Sequence, residues 1–121
     1  MLNCLAVGIG GFFGSILRYL MGKIPVKETF TFPVNTLIIN VIGAFIIGCV
    51  AAVFTKHTSL DSRLLLLLKV GFCGGFTTFS TFSYETLGLM ESGSWLMAVV
   101  YALISVVLCV CAVFWGQYLF E

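Results

Sequence analysis

Charge is what this sequence is short of. Lys and Arg number 6 and Asp and Glu 5 among 121 residues, so 9% of the chain is charged, where a soluble domain is usually about a quarter charged. A chain that is 60% hydrophobic cannot bury so much apolar surface in a small water-soluble fold, because small domains hide only part of what they have. A soluble enzyme is excluded on that ground. There is no nucleophile–base pair and no cluster with metal-ligand spacing either, so no enzyme activity is expected, and no nucleic-acid partner. Histidine occurs once, as His57 beside Lys56 in a short polar stretch; a lone surface histidine needs no special role. The five cysteines, Cys4, Cys49, Cys73, Cys109 and Cys111, all lie in apolar runs, and their odd number argues against a disulfide framework. Cys109 and Cys111 are two apart, which puts them on nearly opposite faces of a helix that turns about 100° per residue. No Lys or Arg precedes the first apolar run and no small-residue cleavage pattern follows it, so that run is expected to stay in the mature protein. Internal repeats and low-complexity segments are lacking too.

What is present is four long apolar runs. A helix needs about 20 apolar residues to cross a hydrocarbon core about 30 Å thick. Helices are predicted at about 2–21, 33–54, 62–90 and 95–120. Gly22, Lys23 and Pro25 close the first. Pro33, at a favoured first helical position, opens the second, and Asp61 and Ser62 form a capping region before the third. The short connections leave no room for a soluble domain, so the whole chain reads as one all-α transmembrane unit in a lipid bilayer. Arg18, Lys23 and Lys27 fall on one side of the membrane and Lys56, Arg63 and the deeper Lys69 on the other. Orientation normally follows a lysine and arginine excess. With the two sides equal, insertion in both orientations is the simplest expectation, and opposite copies can then pair about a two-fold axis in the membrane plane. Four helices also enclose little interior, so transport calls for a partner, most economically a second copy.

Small residues crowd the first three runs. Gly10 and Gly14 have the GxxxG spacing, as do Gly71 and Gly75, while Gly43 and Gly48 mark the second run; such residues let backbones approach where lipid gives no hydrophobic drive to associate. Thr36 and Asn40 share one helix face, and Tyr101, Ser105 and Cys109 repeat that spacing on the fourth run. In the third run, Gly71-Phe72-Cys73-Gly74-Gly75-Phe76 is followed by Thr77-Thr78-Phe79-Ser80-Thr81-Phe82-Ser83. Glycines succeeded by hydroxyls make a poor continuous helix, and a break near 74–78 is predicted at mid-membrane depth. Backbone opened at that depth must be satisfied by protein, water or an ion, and interrupted helices are the usual pointer to an ion site. Free carbonyls suit a hard cation. Hydroxyls, amides and the positive edges of the Phe79 and Phe82 rings suit a small, strongly hydrated anion. Glu85 is placed near one mouth of such a path, and Arg18 where it would attract anions to an entrance. Lys69 and Glu91 read as snorkelling or interfacial charges.

These residues resemble a family. Gly10-Gly11-x-x-Gly14-Ser15-x-x-Arg18-Tyr19, then Thr36-Leu37-x-x-Asn40-x-x-Gly43-x-Phe45-x-x-Gly48, then Gly71 to Phe82 are similar to the CrcB/Fluc fluoride channels. The resemblance implies an antiparallel, dual-topology homodimer with two pores. It would export fluoride passively from a microbial cytoplasm across the inner (plasma) membrane and so relieve toxicity. It also implies that Gly74 and Thr77 offer backbone carbonyls to a structural sodium ion at the dimer axis. Phe79 and Phe82 would contact fluoride edge-on and Asn40 would line the pore. Ser80, Thr81, Thr36, Tyr101 and Ser105 would form a polar track, with Arg18 in a vestibule. Cys109 stands where a hydroxyl would extend the track, and Lys69 is an unusual charge for its depth.

Two rival readings differ in class. A proton-coupled small multidrug exporter matches in length and hydropathy but relies on a membrane-embedded Glu in its first helix, and the run from Leu2 to Met21 has no acid. A non-transporting subunit that packs against a larger complex explains the glycines but not the aligned hydroxyls or the broken helix.

Overall fold

The computed structural model describes residues 1–26 and 32–120, which are helical apart from short connections and one interruption. Lys27, counted among the charges of the first connection, lies outside the described residues. Helix α1 is Leu2–Gly22 and α2 is Val34–Lys56. The third span comes in two parts. Its first part, α3 (62–76), begins as Ser62–Leu65, widens into a π-type winding over Leu66–Cys73 and closes as Gly74–Phe76; its second part is α4, Phe79–Glu91. The last helix, α5, is Trp95–Tyr118. The four spans are long and apolar enough to cross a membrane.

Local chemistry sets the helix ends. Pro33 precedes α2. The Asp61 carboxylate accepts the Arg63 amide at 2.8 Å and starts α3, satisfying a donor that the first turn leaves without a helical partner. At the turn from α4 to α5, Gly93 takes φ 83°, a left-handed conformation that residues with a Cβ rarely adopt.

Two helix pairs make up the body: α1 lies against α3, α2 lies against α5, and α4 crosses over to pack on α5. Backbone contact holds the first pair. A Cβ on Gly10 would overlap the Leu67 carbonyl, and one on Gly14 would overlap the Phe72 carbonyl and crowd the Phe76 amide. From the other side, Gly71 meets the Val7 carbonyl and Gly75 the Gly11 carbonyl. The two GxxxG stripes therefore face each other, as their spacing suggests for helices packed in lipid. The second pair repeats the device with Gly48 against Val113 and Gly116 against Phe45.

The third span is interrupted, and the glycines are not where it opens. Gly74 keeps helical angles, φ −65° and ψ −37°, whereas Thr77 (φ −78°, ψ 160°) and Thr78 (φ −151°, ψ 116°) are extended. Gly71 and Gly75 serve the close approach of α1. The interior is thin. Ile39, Ala44, Cys73, Phe76, Leu89, Ala98 and Tyr101 are the buried apolar residues among those described, and leucine, isoleucine, valine and phenylalanine side chains cover the outside, as suits a surface solvated by hydrocarbon.

Candidate functional site

The interruption is stabilised by a side chain from another helix. In a continuous helix the Thr78 amide would donate to the Gly74 carbonyl and the Thr81 amide to the Thr77 carbonyl. Here Thr78 N donates to Asn40 Oδ1 at 2.8 Å, and Asn40 Nδ2 donates back to the Thr78 carbonyl at 3.0 Å. The Thr81 amide donates to Thr78 Oγ1 at 3.1 Å. Both ladder bonds are diverted, and the Gly74 and Thr77 carbonyls are the acceptors left behind. Thr77 closes α3 by turning its own hydroxyl onto the Cys73 carbonyl at 2.7 Å. Thr78 is thus cap, hinge and clasp partner at once. Its signal in the sequence is a hydroxyl residue just ahead of a helical run, the position a helix N-cap favours.

Beyond the clasp, α4 opens with hydroxyls and rings. Thr78 Oγ1 donates to Thr81 Oγ1 at 3.0 Å and lies 3.3 Å from Ser80 Oγ. The Phe79 and Phe82 ring centroids are 5.5 Å apart; Phe79 is 78% exposed, while Phe82 packs on the Tyr101 ring at 5.1 Å. The amides of Phe79 and Ser80 belong to this first turn, the end of a helix whose donors face outward and whose dipole favours negative charge.

Two cavities flank the clasp, and Thr78 lines both. One, of about 370 Å³, is walled by Asn40, Gly74, Thr77, Phe79, Phe82 and Ser105, among others. Ser105 Oγ is buried there with no hydrogen-bond partner among the described residues, an unmet donor in a wall whose surface is mostly apolar. The other, of about 680 Å³, is walled by Arg18, Lys23, Thr36, Thr81 and Glu85. Tyr101 lines neither. It is fully buried behind the clasp and donates its hydroxyl to Glu85 Oε2 at 2.8 Å, while Thr36 Oγ1 donates to Glu85 Oε1 at 2.7 Å. One member of each polar stripe, Thr36 of α2 and Tyr101 of α5, meets this one carboxylate. Ser80 is exposed beside the cap and belongs to neither cavity wall. Gly116, which no spacing motif marks, is a further packing residue; its signal is a lone glycine in a bulky helix.

A family model described as CrcB-like protein, Camphor Resistance (CrcB), matches residues 5–117. Several curated relatives carry the name fluoride-specific ion channel FluC. The one from Methanocaldococcus jannaschii is 45% identical over 120 residues, spanning 95% of this chain and 91% of its own. That from Ruminiclostridium cellulolyticum is 41% identical over 120 residues, spanning 98% and 92%. The relative from Geobacter sulfurreducens is 44% identical over 110 residues, spanning 90% and 89%.

Proposed function

Because the chain belongs to the CrcB family, we propose that it is a fluoride-selective channel through which fluoride leaves the cytoplasm down its own gradient. The observation that carries this reading is the broken third span: amides, hydroxyls and rings gathered at one opened stretch of backbone, beside a cavity also lined by Ser105, whose buried hydroxyl has no partner among the described residues. A small anion that surrenders its water needs many short-range donors. Hydroxyls, first-turn amides and the positive edges of Phe79 and Phe82 supply them. Chloride is larger and draws less from each donor. Neither rival reading explains the diverted ladder.

The working form in this reading is a pair of copies in opposite orientation in the plasma membrane, joined where their broken spans meet. One chain has too thin an interior to enclose a path. The freed carbonyls of Gly74 and Thr77, two from each copy, fit a hard cation, which prefers oxygen ligands. Gly74 is exposed and has open space around it. A sodium ion held there would offset the carbonyl dipoles at the junction. The test is efflux from liposomes containing the purified protein: fluoride is expected to leave much faster than chloride, and equal rates for the two ions would overturn the proposal.

A further inference from the structure

Lys69 is the charge that neither helix packing nor the proposed path has used. It sits in the widened stretch Leu66–Cys73, a kind of winding that recurs at functional sites. The residue is exposed, and it lines the same cavity as Asn40, Phe79, Phe82 and Ser105. Eight residues separate it from Thr77, which puts it on the order of 10 Å from the break, toward the Ser62 end. Among the described residues no acidic one lines that cavity, and no hydrogen bond or ion pair holds Lys69. An ammonium at such depth is costly unless it reaches water or meets an anion. Snorkelling toward the Ser62 end accounts for part of that cost. It does not account for a position in the wall of the cavity that is also lined by Ser105, whose buried hydroxyl has no partner among the described residues.

The cavity on the other side of the clasp has its own cations, Arg18 and Lys23. Each side of the Asn40–Thr78 clasp is therefore furnished with positive charge. The Arg18 cavity is also lined by Glu85, whose carboxylate is already occupied by two hydroxyl donors; the second has Lys69 with no opposing acid among the described residues. The geometry points to Lys69 as an anion attractor at the second mouth: it concentrates small anions in the cavity that leads to Ser105, Phe82 and Asn40, complementing Arg18 at the opposite one. This rests on the fluoride-channel reading and adds a residue to it. A bare ammonium attracts any anion, so Lys69 acts on the rate of entry, while the choice among halides stays with the donors around the break.

The experiment compares the unmodified protein with Lys69→Gln, Lys69→Arg and Lys56→Gln in liposomes, following fluoride and chloride efflux from low to high ionic strength set with impermeant ions. Lys56→Gln makes the same charge change at the end of α2, where the ammonium donates to the Phe120 carbonyl and lies outside the cavity. Lys69→Gln is expected to slow fluoride efflux about threefold or more at low salt. The deficit should shrink as salt screens the field. Lys69→Arg and Lys56→Gln should match the unmodified protein, and the fluoride-to-chloride ratio should not move. Unchanged efflux in Lys69→Gln, or a loss that salt does not affect, overturns the role of Lys69 alone. If the unmodified protein passes no fluoride, the channel reading itself fails, and this role with it. Should Lys69→Gln not yield folded protein, Lys69→Met carries the same comparison.

Discussion

The two halves of the third span are held by opposite means. Helix α3 is fixed by shape, since glycines on it and on α1 bring backbone against backbone and few side-chain hydrogen bonds contribute. Helix α4 is fixed by polar contacts: the Asn40 clasp, the Thr78 cap and the Glu85 carboxylate bridging Thr36 and Tyr101. The difference is instructive. In lipid, close packing tolerates no added atom but asks for no partner of particular chemistry. An opened backbone asks for specific partners and leaves some groups to be met by whatever enters. The rigid half positions, and the polar half is where an ion can be handled.

The largest expected effect is on the shape-held half. Gly14→Val would drive a side chain into the Phe72 carbonyl and the Phe76 amide, and backbone cannot give way as a flexible side chain can. A loss of about 3 kcal/mol or more is expected, read as collapse of the folded fraction in size-exclusion chromatography of the detergent-solubilised protein. Gly8→Val on the same helix, with nothing within 4 Å of the added carbon, should behave as the parent does; equal damage at both positions would break the comparison. Next comes the clasp. Asn40→Leu leaves the Thr78 amide and carbonyl without their partners, a penalty of about 2 kcal/mol, and should lower fluoride efflux at least roughly tenfold by letting the break shift. Asn40→Asp, which keeps the acceptor for the Thr78 amide, should retain more of the folded protein. The smallest structural effect belongs to Ser105→Ala. Its hydroxyl has no partner to lose among the described residues, so stability should stay within about 0.5 kcal/mol of the parent while fluoride efflux falls. A drop in stability without a drop in efflux would assign that hydroxyl to the scaffold.

Much of this was legible in the residues and some was not. The four spans follow from hydropathy at the length of a bilayer crossing, and α1, α2 and α5 follow it with no help from tertiary contacts. The facing glycine pairs could be seen as packing stripes, but not that Gly10 would meet Gly71, because spacing on one helix does not name its neighbour. An interruption somewhere between Gly74 and Thr78 was readable from glycines running into hydroxyls. Its position at the two threonines was not, since the group that decides it, Asn40, lies 38 residues away in the chain. The stripes at Thr36 and Tyr101 were readable as polar faces. Their convergence on Glu85 depends on how α2, α4 and α5 cross, and no periodicity records a crossing.

Composition and periodicity alone determined the solvent of this protein, the number of its crossings and the small-residue faces along which its helices could approach, because these depend on sums over a helix length and on angles within one helix. Tertiary structure decided which amides would leave their own helix, which carbonyls they would leave behind and which hydroxyl would stay without a partner. Those outcomes are choices between competing hydrogen bonds of similar strength, and only the approach of a second helix to within about 3 Å settles such a choice.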